Sequence, residues 1–276
     1  MNNGKLLRIR GLSVQFATPG GAVEAVREAS LDVPPGTIVA LIGESGSGKS
    51  ATALSVFGLL DSPGRAAAGE IWLGETDLLR LKPRELRARR GRDMAMIFQD
   101  PANSLNPVLT IGRQMVEAIR RHRRVSRREA REIAVGQLAR VGMPDPERLL
   151  RRYPFQISGG MCQRVMIALA LVSGARLLIA DEPTTALDVT LQAQLLDELY
   201  RLRRERGLGI LLITHDLGVV AEIADFVYVM KEGRIVEAAD VYALFERPAH
   251  EYTRKLLDSR SLRADSPAAA ASGRRG

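Results

Sequence analysis

The sequence has little cysteine and no long apolar run. Its single cysteine, Cys162, excludes an intramolecular disulfide and any cysteine-only metal or iron–sulfur site within this chain. No apolar run reaches the length of about 20 residues that crossing a bilayer requires, and residues 1–10 lack the apolar centre of a secretory signal. We therefore expect a chain that is made and kept in a reducing cytosol.

Aromatic residues are also scarce. They make up 4% of the 276 residues, although 46% of the residues are hydrophobic. Such aliphatic-rich packing is common where parallel strands are buried on both faces. The length allows one large domain or two small ones.

Positive charge is in excess, with a formal net charge of +8. It concentrates in residues 80–92 and 120–131, and the usual acidic partners of such runs are nucleic acid and anionic lipid headgroups. Neither run has interleaved aromatic residues for stacking on bases, and both have helix-compatible spacing. We favour a solvated helix face near lipid over nucleic-acid binding, and predict no nucleic-acid partner.

The stretch GESGSGKS, residues 43–50, fits the phosphate-binding pattern GxxxxGK[ST] at every fixed position. We call it the phosphate loop. An apolar run at 38–42 precedes it and reads as a buried strand, and residues 51–60 read as a helix, which is the context that the pattern needs. Its glycines let the backbone curl so that N–H groups point at phosphate oxygens, reinforced by the positive end of the helix. A nucleoside triphosphate is therefore the first predicted ligand.

Two side chains of the phosphate loop have distinct predicted tasks. We expect Lys49 to reach the β- and γ-phosphates and Ser50 to offer its hydroxyl to Mg²⁺, which bridges the same phosphates. The alternative is a glycine-rich turn that matches by accident, and the flanking strand and helix disfavour it. The candidate nucleotide-binding residues here are Gly43, Glu44, Ser45, Gly46, Ser47, Gly48, Lys49, Ser50 and Ala51.

A second acidic element discriminates among phosphate-loop proteins. Residues 177–182, LLIADE, form a buried apolar strand that ends in Asp181, a candidate Mg²⁺ ligand, while Glu182 can orient or deprotonate an attacking water. Two adjacent acids indicate hydrolysis. A kinase would need an acceptor pocket, and a GTPase would need an [NT]KxD element, which the sequence lacks. The alternative for both acids is that they balance a helix dipole.

Apolar periodicity divides the chain into an α/β core and a helical insertion. Residues 6–33, with a turn at 18–21, predict an antiparallel hairpin, and 70–73 and 94–98 read as short strands. Between 110 and 150 the apolar spacing is helical, and strands then alternate with helices again. The predicted fold class is α/β: a phosphate-loop ATPase core with a mainly parallel sheet, an N-terminal antiparallel β subdomain and an inserted helical subdomain.

These patterns predict one ATPase domain over residues 1–258. Its catalytic core comprises 1–99 and 165–258, and its helical subdomain comprises about 100–164. Residues 259–276 consist mainly of Ser, Ala, Arg and Pro without periodicity, and we expect a disordered tail.

Five elements in a fixed order carry a resemblance to one family. They are GESGSGKS, FQDP around Gln99, ISGGMCQR at 157–164, LLIADEPTTALD at 177–188, and THD around His215. With them the chain resembles the ATP-binding subunits of ATP-binding-cassette (ABC) transporters over roughly residues 6–257. The resemblance implies that ATP, with Mg²⁺, is the ligand that is hydrolysed.

The same resemblance implies roles for four further residues. Gln99 contacts Mg²⁺ and the attacking water and senses the membrane subunit, Asp188 lines a dimer interface, and His215 holds the γ-phosphate. Phe16 matches the family's aromatic residue that stacks on adenine, a task that needs only a ring in the right place. The alternative for Phe16 is a core residue.

The segment Ser158, Gly159, Gly160 explains why a protein of this kind works as a pair. A serine followed by two glycines at a helix start presents a hydroxyl and bare N–H groups, which is a second anion site. In the family, this signature of one subunit closes on the γ-phosphate held by the other subunit. The chain departs from the family pattern at Ile157 and Met161, where leucine and glutamine are usual. We interpret Cys162 as a small helix residue rather than a redox group.

Within the family, segments 103–114, 153–171 and 250–257 resemble the dipeptide, oligopeptide and nickel importer group. This implies a peripheral subunit at the cytoplasmic face of the membrane that pairs with a second ATPase subunit, identical or not. Its other partners are transmembrane permease subunits and, indirectly, an extracytoplasmic solute-binding protein. The cargo that the resemblance implies is a short peptide, taken up with the energy of ATP hydrolysis. Many peptide-importer subunits of this group continue into a cysteine-bearing C-terminal extension, which this sequence lacks, so nickel or another small solute is the alternative cargo. The alternative from a different class is a soluble ABC ATPase without a transport role.

Overall fold

The structure is a computed structural model that describes residues 4–100, 104–172, 174–185 and 187–261, without the side chains of 259–261. The described strands are β1 (Leu7–Thr18), β2 (Gly21–Val33), β3 (Ile38–Ile42), β4 (Gly64–Leu73), β5 (Thr76–Asp77), β6 (Met94–Ile97), β7 (Leu177–Asp181), β8 (Gly209–Ile213), β9 (Phe226–Lys231) and β10 (Arg234–Asp240).

The described α-helices are α1 (Lys49–Phe57), α2 (Pro83–Arg89), α3 (Ile111–His122), α4 (Arg127–Arg140), α5 (Pro146–Leu149), α6 (Gly159–Val172), α7 (Val189–Arg206), α8 (Leu217–Ile223), α9 (Val241–Glu246) and α10 (Glu251–Ser261). None of these described helices is both long enough and apolar enough to span a bilayer. Helix α10 continues three residues into the predicted tail, and the remainder of that tail lies outside the described residues.

The chain divides into two compact units, and the first comprises the described residues of 1–86 and 209–276. In it, β1 pairs antiparallel with β2 on one side and with β4 on the other. The predicted N-terminal hairpin is thereby confirmed. Strand β3 lies between β8 and β9 and is parallel to both, and β10 pairs antiparallel with β9. Every residue of β3 and β8 is buried, as their uninterrupted apolar sequences require.

The second unit comprises residues 87–208. Its strands β6 and β7 pair in parallel, and both are buried along their whole length. Helix α3 buries Ile111, Met115 and Ile119, and α4 buries Ala130, Ala134 and Leu138, in both cases at one-turn spacing. The predicted α/β class is confirmed, and the predicted subdomain bounds at 99/100 and 164/165 stay a prediction.

Candidate active site

The phosphate loop leaves the carboxyl end of β3, where close backbone approach requires glycine. Gly43 and Gly48 have φ angles of 153° and 105°, in the region that favours glycine. A Cβ atom on Gly43 would lie 2.1 Å from the carbonyl oxygen of Met230, and one on Gly48 would lie 2.4 Å from that of Ala25. A side chain at either position would displace the loop.

Lys49 points back into the phosphate loop. The residue is 7% exposed, and Nζ donates hydrogen bonds to the carbonyl oxygens of Gly43 at 3.0 Å and Glu44 at 2.8 Å. Helix α1 begins at Lys49, and its N-cap residue Gly48 makes no side-chain capping hydrogen bond. The first-turn amides of α1 have no intrahelical acceptor, so they and the lysine form a donor set suited to phosphate oxygens.

The remaining phosphate-loop residues differ in their exposure to solvent. Glu44, Ser45 and Gly46 are exposed, Ser47 is buried, and Ser50 and Ala51 are half-buried in the first turn of α1. The Ser50 hydroxyl is a hard oxygen donor of the kind that Mg²⁺ prefers.

Two supports of the phosphate loop were missed by sequence reasoning. The amide of Gly233, in the turn between β9 and β10, donates to the carbonyl oxygen of Ser47 at 2.9 Å. The amide of Glu44 donates to the hydroxyl oxygen of Tyr252 in α10 at 3.0 Å. The sequence offered only one signal for them, the segment 250–257, which we read as a marker of the subgroup.

Phe16 and His215 also belong to the first unit. Phe16 lies half-buried in β1, with its ring against the backbone of Gly64, so it is not a fully buried core residue. His215 is exposed in the loop after β8, next to Asp216, which caps α8. Because β3 and β8 are parallel, His215 and the phosphate loop leave the same edge of the sheet.

The second unit presents the two acids. Asp181 ends β7 and is 3% exposed, and Glu182 is 8% exposed. Glu182 has a φ of 51°, an unfavourable conformation for a residue with a side chain. The hydroxyl of Thr185 donates to its carboxylate at 3.2 Å. A non-glycine residue held in this conformation is a common feature of functional sites.

The segment after Glu182 is fixed at both ends. The side-chain amide of Gln163 in α6 donates to the carbonyl oxygen of Pro183, a contact that sequence reasoning also missed. Asp188 is the N-cap of α7, because its carboxylate accepts from the amide of Leu191 at 3.0 Å. This cap orients the Asp188 side chain at the start of α7.

The signature residues lie at the start of α6. Ser158 and Gly159 are exposed and Gly160 is half-buried. The Ser158 hydroxyl oxygen accepts from the amide of Met161 at 3.4 Å, and the hydroxyl hydrogen stays available as a donor to an anion. Cys162 is buried, and burial raises the pKa of its thiol, which agrees with its interpretation as a helix residue.

Gln99 follows the end of β6 by two residues and is exposed. Its amide oxygen, the hydroxyl of Ser50 and the carboxylate of Asp181 are oxygen donors. Each of them is a hard oxygen donor of the kind that Mg²⁺ prefers, so the chemistry of each residue fits that ion.

Comparisons with known proteins agree with these elements. A family model described as ABC transporter matches residues 26–185. The chain is 48% identical over 256 residues to the dipeptide transport ATP-binding protein DppD of Bacillus subtilis, covering 92% of this chain and 76% of that protein. It is 47% identical over 252 residues to DppD of Escherichia coli, covering 91% and 77%. It is also similar to a solved dimeric ATP-binding cassette in a post-hydrolysis state with ADP and Pi, with a TM-score of 0.79, 25% identity and coverage of 85% and 98%.

Proposed function

We propose, from the premise that this chain belongs to the ABC transporter family, that it is the ATPase subunit of an importer of short peptides. The observation that carries the cargo class is the 48% identity over 92% of the chain to a relative named for dipeptide transport. The E. coli relative at 47% identity is named for the same cargo. These names disfavour both the nickel alternative and the soluble ATPase without a transport role.

The phosphate loop binds the triphosphate of ATP, and Lys49 supplies a positive charge to its β- and γ-phosphates. The burial of Lys49 supports this role, because a charge in a water-poor site stabilises a transition state more than a solvated one does. The Phe16 ring stacks on adenine. The half-burial of Phe16 in β1 supports this role, because a ring that stacks on a ligand must be accessible.

Ser50, Gln99 and Asp181 hold Mg²⁺, which offsets phosphate charge when it is bound. Glu182 polarises the attacking water, and the Thr185 hydroxyl orients its carboxylate. His215 contacts the γ-phosphate from the loop after β8.

A second ATPase subunit, identical or different, completes each site. The Ser158 hydroxyl and the amides of Gly159 and Gly160 contact the γ-phosphate held by the other subunit, and Asp188 lines the interface between the two. The exposure of Ser158 and Gly159 supports this role, since an anion site for a second molecule must be accessible.

The subunit acts at the cytoplasmic face of the cell membrane, bound peripherally to transmembrane permease subunits. An extracytoplasmic solute-binding protein delivers the peptide to the permease and is an indirect partner. Nucleic acid is not a partner.

The permease contact lies on the helical part of the second unit, at 110–150 with Gln99 at its start. Val108 and Phe155 flank this part, and they are 76% and 73% exposed. Their segments are joined, because the amide of Ile111 donates to the carbonyl oxygen of Arg152 at 2.9 Å. Large apolar side chains that are exposed on joined segments are the kind of surface that protein interfaces bury.

Cargo is tested by purifying the complex with its native membrane partners, reconstituting it in vesicles and supplying ATP on the side of the ATPase subunits. We expect ATP-dependent uptake of a labelled dipeptide and loss of this uptake in Lys49→Ala. Uptake of Ni²⁺ without uptake of peptide would replace the proposed cargo, and the absence of any membrane partner would contradict the transport role.

The docking surface is tested on the same complex. Phe155→Ser and Val108→Ser should weaken co-purification with the permease without changing the basal ATPase rate. Tyr242→Ser, which removes a side chain that is 48% exposed in the first unit, is the matched control. Equal effects of the three variants would contradict the proposed location.

A further inference from the structure

Helix α10 reaches the phosphate loop through one side chain. The hydroxyl oxygen of Tyr252 accepts the amide hydrogen of Glu44 at 3.0 Å, across 208 positions of sequence. The carbonyl oxygen of the same Glu44 accepts from Lys49 Nζ at 2.8 Å. The Glu44 residue is therefore held on its amide side by Tyr252 and on its carbonyl side by Lys49.

The Tyr252 ring is itself well fixed. Tyr252 as a whole residue is 7% exposed and belongs to the core cluster that contains Ile42, the last residue of β3. Lys231 Nζ lies 5.1 Å from the ring centroid, a cation–π contact. Burial raises the pKa of the Tyr252 phenol, so the hydroxyl stays protonated at neutral pH.

The start of α10 is anchored independently. One carboxylate oxygen of Glu237 in β10 accepts from the amide of Ala249 at 2.7 Å, and the other accepts from the amide of His250 at 3.0 Å. Nδ1 of His250 accepts from the amide of Tyr252 at 3.0 Å. The tyrosine therefore enters the core from a backbone that is fixed to the sheet.

We propose that Tyr252 is a positioning residue for the phosphate loop, which sets the Glu44 peptide so that Lys49 and the loop amides meet the nucleotide phosphates. This inference rests on the proposed ATPase function and adds to it a residue outside the five motif elements. A loop that is fixed before the nucleotide arrives loses less conformational freedom on binding. Removing the hydroxyl should therefore weaken nucleotide binding more than it weakens folding.

Tyr228 provides a matched control within the same unit. Its hydroxyl oxygen also accepts one backbone amide, that of Asp32 at 3.1 Å, but this amide is outside the phosphate loop. Tyr252→Phe and Tyr228→Phe therefore remove the same kind of hydrogen bond and keep both rings.

The test compares the two variants in the full chain, measuring ATP turnover, the dissociation constant for ATP and hydrogen exchange of single amides. For Tyr252→Phe we expect KM and the dissociation constant to rise about 2- to 10-fold, the value of one neutral hydrogen bond, with kcat changed less than 2-fold. Exchange should accelerate at Glu44. For Tyr228→Phe, exchange should accelerate at Asp32 while KM stays at the wild-type value.

Equal KM values in the two variants, or unchanged exchange at Glu44 in Tyr252→Phe, would overturn the proposal. The measurement of exchange separates this failure from failure of the proposed function, because it needs no turnover. A wild-type chain that does not hydrolyse ATP would contradict the function, whereas slower exchange at Glu44 in wild type than in Tyr252→Phe would still support the contact.

Discussion

Glu182→Gln separates the role of a negative charge from the role of a side-chain shape. Glutamine retains an oxygen that can accept from the Thr185 hydroxyl, which lies 3.2 Å from the carboxylate. The left-handed backbone at this position, with a φ of 51°, is as unfavourable in free energy for glutamine as for glutamate. We therefore expect the stability to stay within about 0.5 kcal/mol of wild type. A lost general base lowers the rate about 10²- to 10⁴-fold, and we expect this loss in ATP turnover.

The same change should turn ATP into a stable link between subunits. In the proposed composite site, binding by Lys49 and the phosphate loop should survive the substitution, and the signature residues of the partner subunit should still close on the γ-phosphate. A ligand that binds across an interface stabilises association by mass action. With its natural partner ATPase, the variant should shift to a dimer in ATP and revert in ADP, as measured by size-exclusion chromatography with light scattering.

Glu198→Gln is the matched control for the loss of a buried carboxylate. Glu198 is also 8% exposed and lies in α7 of the same unit, where it pairs with Arg201 at 2.7 Å. Losing this pair should cost about 1–2 kcal/mol of stability and leave turnover unchanged. A folded, ATP-binding Glu182→Gln protein that hydrolyses ATP at the wild-type rate, or that stays monomeric beside its partner, would refute the composite-site mechanism.

Three further outcomes follow from the geometry. Lys49→Ala should lower phosphate release at least about 100-fold, because it removes the buried cation that we propose to contact the transferring phosphate; a rate near wild type would contradict this role. Gly43→Ala should also lower turnover about 100-fold, since a Cβ only 2.1 Å from a backbone oxygen must move the loop by about 1 Å. Its control is Gly207→Ala, at a φ of 63° with no neighbouring atom within 4 Å, which should cost about 1 kcal/mol of stability and no activity. Cys162 should react with a maleimide at least about ten times more slowly in the native chain than in the unfolded chain, because burial disfavours its thiolate; equal rates would show that it is accessible.

The strands were predictable where their sequences are apolar throughout. The runs at β3 and β7 identify buried parallel strands. Strand β3 ends immediately before the phosphate loop, and β7 ends at Asp181, the residue that the motif assigns to metal binding. Strand β4 was predicted only at its end, 70–73, but it begins at Gly64. Its Ala- and Gly-rich start has low strand propensity, and pairing with β1, as between Phe16 and Gly64, overrides that propensity.

The site residues were predictable as motif positions, whereas their supports were not. A pattern of glycines and one lysine specifies the phosphate loop locally, because the backbone itself binds the ligand. The Tyr252 contact with Glu44 depends on how α10 packs in the core, and no periodicity in the sequence encodes it. The left-handed backbone at Glu182 could not be predicted from the sequence either, since glutamate rarely adopts this conformation without tertiary constraints.

The order of the strands has a consequence for synthesis on the ribosome. Strand β3 emerges early, but both of its neighbours, β8 and β9, are translated only after residue 208. The unit at 87–208 is one continuous segment and can fold while β3 still lacks its neighbours. Until then the apolar β3 has open edges, which is the condition under which nascent chains aggregate or require a chaperone. A ribosome that stops between residues 208 and 226 would release a polypeptide whose helix-rich segment folds while its nucleotide-binding half remains incomplete.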